Sequence, residues 1–174
     1  QFRLEGEEKA RVGSRLALIY SLAEQYQKAL EALQGTEIAG MSEELTTQRR
    51  HLRAQILTGL KKIGEALALI GNDTSENAEL LRTEIYWNER NWREAAKSLR
   101  LLVKISGAKP DQPINEVQAT RLINYAIALT NSGGERAVSQ IKTEFGEAMG
   151  KSKFAEAFNL VTSPSSIGTL GPGQ

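Results

Sequence analysis

The chain contains four segments of eighteen residues that align with one another without gaps. They begin at Leu16, Arg53, Arg82 and Asn124. Column four is always isoleucine, column fourteen is always alanine, and the last column is Leu or Ile; the members are Ile19, Ile56, Ile85, Ile127, then Ala29, Ala66, Ala95, Ala137, then Leu33, Ile70, Leu99, Ile141. A repeat at intervals of about 20–50 residues is typical of a stacked array. The repeat therefore constrains the architecture, although it leaves the partner open.

The residue content between the repeats predicts helices. Strong helix formers dominate, proline is absent before Pro110, and apolar residues recur at helical spacing, as in Leu52, Ile56 and Leu60. No segment alternates in the manner of a strand. We therefore predict an all-α fold with nine helices, over about 7–24, 26–34, 42–60, 62–71, 75–89, 91–105, 114–131, 134–149 and 152–162. Ser42, Asn91 with Glu94, and Pro113 are candidate helix starts.

Each aligned block breaks near its middle, where polar residues or glycines cluster, and this predicts a helix hairpin. The alanine column would allow the two helices of a hairpin to approach closely where they cross. The isoleucine column would face the same core from the preceding helix. Column eleven holds Tyr26, Ile63, Trp92 and Gly134, and a bulky residue there would plug the turn. We therefore expect the fourth unit, with Gly134, to pack less well.

The composition is that of an ordinary globular chain. It has 40% hydrophobic and 25% charged residues, a formal net charge of +1, and no cysteine. The absence of cysteine excludes disulfides and thiolate sites. The balanced charge argues against nucleic acid as a partner, and no apolar run approaches the ~18 residues of a membrane span, so we expect no direct membrane insertion. Cytoplasm and periplasm both stay open, and the alanine content favours a bacterial source.

Residues 1–162 are predicted to form one helical repeat domain. Residues 163–174 are rich in Ser, Gly and Pro, which predicts a flexible tail. Because the chain begins at Gln1 rather than Met, we expect it to be a piece of a longer protein.

Laid out in this way, the repeat resembles the tetratricopeptide repeat (TPR) family. The resemblance lies in the first unit, at Leu16, Ala17, Tyr20, Tyr26, Ala29 and Leu33, and in the third, at Tyr86, Trp92, Ala95 and Leu99. It implies a right-handed α-α superhelix, or solenoid, of about four hairpins, with residues 153–158 in a C-terminal capping helix. The alanines are separated by 37, 29 and 42 residues, against about 34 in the family. The array is thus divergent, and a HEAT-like or other helical-hairpin solenoid is the alternative.

The resemblance implies a binding groove along one face of the first helices. The candidate positions are Arg11, Ser14, Leu18, Gln48, His51, Gln55, Leu80, Glu84, Trp87, Leu122 and Ala126. Of these, Arg11, Ser14, His51, Gln55, Glu84 and Trp87 form the predicted partner-binding groove. Trp87 stands beside Tyr86, and because both cannot face one core, we expect Trp87 in the groove; the alternative is that it packs against the next hairpin.

No catalytic, cofactor or metal site is predicted. His51 is the one histidine, and it has no cysteine or carboxylate pair near it in sequence. The basic stretch from Gln48 to Arg53 favours a solvated helix face over a phosphate site.

The sequence thus predicts a non-enzymatic scaffold that binds a protein or peptide and belongs to a larger protein. The alternative is a structural helical segment of a larger enzyme or cell-envelope protein. A third hypothesis is self-association through the end hairpins.

Overall fold

The computed structural model describes residues 6–163, and within that range the chain forms nine α-helices and no strand. The helices are α1 (Gly6–Leu22), α2 (Tyr26–Gln34), α3 (Glu43–Gly59), α4 (Ile63–Ile70), α5 (Glu76–Asn88), α6 (Trp92–Ile105), α7 (Glu116–Asn131), α8 (Glu135–Gly150) and α9 (Ala155–Thr162). The all-α prediction and the order of the helices are confirmed. The predicted tail lies outside the described residues, apart from Ser163.

Capping explains some of the helix starts. The Asn91 side chain accepts a hydrogen bond from the Glu94 N–H, as predicted for α6. A complete capping box lies instead at α7, where Asn115 and Gln118 bond to each other's backbone N–H groups. Ser42 precedes α3 but its side chain makes no capping bond. Pro113 lies before the α7 cap, so its predicted place in the first helical turn is wrong.

The contacts divide the chain into two compact units, with the boundary between Ile85 and Tyr86. In the first unit, α1 packs on α2 and α3 packs on α4. Its core includes Ala17, Ala29, Leu33 and Ile56. In the second unit, α6 packs on α7 and α8 packs on α9. Its largest cluster joins Leu122, Ile141, Phe145, Met149 and Phe158 with neighbouring residues.

One turn geometry recurs in all four hairpins. Each turn contains one residue with a left-handed backbone conformation. These residues are Glu24 (φ 56°), Lys61 (62°), Arg90 (55°) and Gly133 (76°). The N–H of the following residue then donates 2.8 Å back to the carbonyl five residues earlier, at Tyr20, Leu57, Tyr86 and Leu129. This is the Schellman end of a helix. The hairpins predicted from the sequence therefore share one local structure.

The fourth turn is displaced by one alignment column. Gly133 stands in column ten, whereas the first three left-handed residues stand in column nine. In consequence Val138 (8% exposed) takes the buried crossing position, and the aligned Ala137 is half-buried. Ala29, Ala66 and Ala95 are fully buried, as expected. The predicted register is thus wrong in the fourth unit.

The isoleucine column packs differently from the prediction. Ile56 is fully buried, but it belongs to a cluster with residues of α1 and α2. It therefore contacts the preceding hairpin, whereas the sequence predicted contact with the second helix of its own hairpin. Ile85 is also buried. Ile19 is 61% exposed, because no described hairpin precedes α1 to cover it.

Candidate functional site

A groove in the first unit is lined by α1, α3 and α5, which are first helices of successive hairpins. We call it the α1–α3–α5 groove; its volume is about 450 Å³, within the range of about 300–1,000 Å³ usual for ligand pockets. Its lining residues are Ser14, Arg15, Leu18, Gln48, His51, Leu52, Gln55, Asn77, Leu80, Leu81 and Glu84. All of them belong to the first compact unit.

Four residues of the predicted groove lie together on this surface: Ser14, His51, Gln55 and Glu84. Leu18, Gln48 and Leu80, which were among the eleven candidate positions, line the same surface. Helical spacing brings them together, because residues three, four and seven apart share one helix face.

Arg15, Leu52, Asn77 and Leu81 line the groove but are absent from the predicted positions. For Arg15 and Asn77, the helical spacing in the sequence was a usable signal. Asn77 stands three residues before Leu80 and seven before Glu84, and Arg15 stands three before Leu18. Arg11 does not line the groove; its guanidinium lies 3.2 Å from Glu7 on the exposed face of α1.

Trp87 belongs to the second unit and lies in a different environment from the predicted one. It is half-buried, and its ring meets that of Trp92 edge to face, with centroids 5.0 Å apart. Both Tyr86 and Trp87 pack against the cluster that includes Leu99. The expectation that these neighbours cannot share one core is therefore wrong. Leu122 and Ala126 are fully buried in the second unit and are not among the residues that line the α1–α3–α5 groove.

The imidazole of His51 is held in place by a carboxylate from the α4–α5 connection. Its Nε2 lies 2.9 Å from Asp73 Oδ2, and the Arg50 guanidinium donates to the same oxygen at 2.8 Å. The Ser75 N–H donates to the other oxygen. The bonds from the Ser75 backbone and side chain, with the contact to His51, hold the pKa of Asp73 well below its ordinary range. His51 is thus a positioned part of the groove wall rather than a free, solvated side chain.

A buried cation lies behind the α1 wall. Arg49 is only 5% exposed, although it stands in the basic stretch that the sequence assigns to a solvated face. Its guanidinium donates to Ala10 O (2.7 Å), Ser14 Oγ (3.0 Å) and Leu33 O (2.6 Å). The Ser14 hydroxyl in turn donates to Ala10 O at 2.9 Å. Both the hydroxyl of Ser14 and the Nε2 of His51 are therefore engaged with other groups, and they form no nucleophile–base pair with each other.

The remaining surface of the groove is amphipathic. Leu18 and Leu80 are 44% and 45% exposed and both line this groove, and adjoining exposed apolar side chains are a feature of binding surfaces. Around them stand the amides of Gln48, Gln55 and Asn77. The charges of Arg15 and Glu84 are opposite, so the lining has no strong net charge. The groove offers apolar contact together with neutral hydrogen-bonding groups.

Within the described residues, no group of three or more His, Asp or Glu side chains is arranged to hold a metal ion. No helix between residues 6 and 163 combines the length and the apolar composition that a membrane span requires. Comparison with protein-family models, with curated proteins and with solved structures finds no match for this chain.

Proposed function

We propose that the chain is a non-enzymatic scaffold, part of a larger protein, that binds a protein or peptide in the α1–α3–α5 groove. We further propose that its hairpins are TPR-like and stack as a right-handed α-α superhelix. The sequence repeat and the shared Schellman turn of the four hairpins support this architecture.

The observation that carries the binding proposal is the pair of exposed leucines between amide side chains. An extended or helical peptide would place an apolar side chain against Leu18 and Leu80. Its main-chain N–H and C=O groups would bond to Gln48, Gln55 and Asn77, because an amide both donates and accepts. A neutral or weakly charged peptide fits better than a polyanion, since the groove has balanced charges.

The test begins with selection of peptides on the whole chain from a random display library. The affinity of a selected peptide is then measured by calorimetry against Leu80→Glu and Gln55→Ala. We expect Leu80→Glu to weaken binding by at least about tenfold, because it places a charge in the apolar contact. Leu22→Glu is the matched control, since Leu22 is 76% exposed in the same unit but outside the groove. Selected peptides that bind equally well to wild type, Leu80→Glu and Gln55→Ala would show that the groove is not the binding surface.

A further inference from the structure

The second unit contains a separate cleft between α6 and α8, with α7 as its floor. We call it the α6–α8 cleft; its volume is about 830 Å³. The lining residues are Arg100, Val103, Lys104, Ala108, Leu122, Tyr125, Arg136, Ala137, Ser139, Gln140, Ile141, Thr143, Glu144 and Phe145. All of them lie on the same side of the unit boundary.

The floor of the α6–α8 cleft is apolar. Leu122, Ile141 and Phe145 are at most 6% exposed and belong to the largest cluster of the unit. Tyr125 is half-buried beside them, and burial raises the pKa of its phenol. The half-buried Ala108, Tyr125 and Ala137 form the accessible apolar surface above this floor, and an apolar side chain of a ligand would be removed from water against them.

The rim carries three exposed cations, Arg100 and Lys104 from α6 and Arg136 from α8. Glu144 is the one carboxylate of the lining, so the cleft has an excess of two positive charges, three minus one. No residue between 6 and 163 makes an ion pair with any of the three cations.

Three other cations of this unit have carboxylate partners. Lys97 lies 2.7 Å from Glu94, Lys151 lies 2.7 Å from Glu147, and Lys153 lies 2.8 Å from Glu116. Three cations without an ion pair among the described residues therefore surround this one cleft, in a chain whose formal net charge is only +1. Such a distribution complements a ligand that is both acidic and apolar.

We propose that the α6–α8 cleft binds an acidic, amphipathic peptide segment. Its carboxylates would pair with the Lys104 ammonium and with the guanidiniums of Arg100 and Arg136, each of which can donate two parallel hydrogen bonds to a carboxylate. An apolar side chain two to four residues away would pack against Tyr125 and Ala108. A nucleic acid fits less well, because three cations neutralise few phosphates and the apolar floor would stay uncovered. This site is independent of the α1–α3–α5 groove, whose charges balance.

The probe is a fluorescein-labelled peptide of alternating Glu and Leu residues, titrated with the whole chain and followed by fluorescence anisotropy. Lys104→Gln and Arg136→Gln should each weaken binding by about two- to fivefold, as expected for exposed ion pairs. The double variant should weaken it further. Raised salt should weaken binding to wild type more than binding to the double variant.

Gln140 provides a sharper pair of variants, because it is exposed and lines the cleft without an ion pair to lose. Gln140→Glu should weaken binding and Gln140→Lys should tighten it, at nearly constant side-chain size. Arg93→Gln is the matched control, since Arg93 is an exposed α6 cation outside the lining. Far-UV circular dichroism of each variant checks that the helices are intact.

Equal binding of a peptide with Gln in place of every Glu would overturn the proposal, as would equal effects of Gln140→Glu and Arg93→Gln. A third arm uses vesicles of phosphatidylcholine with phosphatidylserine. If the vesicles bind, the cleft variants abolish that binding and the peptide does not bind, then the cleft recognises a membrane surface and the peptide proposal is wrong.

Discussion

Replacement of Arg49 by methionine should destabilise the first unit more than replacement of an exposed cation of the same helix. The guanidinium is buried where α1, the end of α2 and α3 meet. It donates to two backbone carbonyls, Ala10 O and Leu33 O, and to Ser14 Oγ, and it lies 3.4 Å from the exposed carboxylate of Glu37. The Leu33 carbonyl lies in the last turn of α2, where helical bonding ends, and a cation is also favoured there by the helix dipole.

The expected loss of stability depends on the hydrogen bonds that the partners of Arg49 retain in the variant. A hydrogen bond from a charged donor contributes about 1.5–3 kcal/mol. Neither carbonyl is left bare in the variant, because Ala10 O still accepts from Ser14 Oγ and Leu33 O still accepts from the Thr36 N–H at 3.2 Å. Burial of the guanidinium is itself costly, and its Nε has no partner among the described residues. We therefore expect a loss of about 2–4 kcal/mol, below the sum of two full bonds.

The assay is urea unfolding followed by circular dichroism at the helix band. Tryptophan fluorescence is unsuitable, because Trp87 and Trp92 both lie in the second unit. Arg53→Met is the matched control, since Arg53 is an exposed cation one turn further along α3. It should change the free energy of unfolding by less than about 0.5 kcal/mol. If Arg49→Met and Arg53→Met unfold at the same urea concentration, the guanidinium does not hold these helices together and the reasoning is refuted.

Three further changes test the packing and the electrostatics by the same urea assay. Ala95→Leu should lower the free energy of unfolding by about 1–3 kcal/mol, because the site is fully buried. Ala137→Leu, at the half-buried aligned position, should lower it by less than half as much. Equal losses of stability would contradict the corrected register. Gly59→Ala should destabilise, since its new Cβ would clash with the Tyr26 ring, while Gly146→Ala, with open space around it, should stabilise by about 0.5–1 kcal/mol. A gain in stability at Gly59 would contradict the close contact. The pKa of Asp73 is lowered on folding, so the stability that it contributes is present above its unfolded pKa of about 3.9 and is lost as the pH falls towards the folded value; the deficit of Asp73→Asn should therefore shrink below about pH 4, and a deficit that grows there would have the wrong sign.

The helices could be predicted closely from the sequence because their signals are local. Helix formers, the missing prolines and the polar mid-block breaks placed α2 at 26–34, as observed, and most other ends within one or two residues. The largest difference is at α9, predicted from 152 but beginning at Ala155. The groove residues His51 and Gln55 were predicted together for a similar reason, since residues four apart share a helix face.

The residues that the sequence placed wrongly owe their positions to contacts outside their own helix. Arg49 stands between polar and charged neighbours, and only the carbonyls of α1 and α2 explain its burial. The carboxylate that holds His51 comes from Asp73, twenty-two residues away, so nothing beside the histidine indicated it. Trp87 finds an aromatic partner across its own hairpin turn, in Trp92, which helical periodicity within α5 does not indicate.

The wrong register of the fourth unit shows that the hairpin turn, and not the apolar columns, defines equivalent positions in the repeats. A one-residue shift rotates a helix position by about 100°, and in this unit Ala128 and Val138 are as apolar as their aligned neighbours Ile127 and Ala137. Residue type in the columns therefore does not reveal the shift. The turn does, because the left-handed residue and the bond to the fifth residue before it fix where the second helix begins. Gly133 adopts that conformation freely, whereas Glu24, Lys61 and Arg90 adopt it at a cost of about 1–2 kcal/mol each. Gly134 is the N-cap of α8, and so corresponds to Gln25, Lys62 and Asn91 rather than to the bulky residues of column eleven. Alignment of these hairpins on the turn, rather than on the isoleucine and alanine columns, therefore gives the equivalent positions.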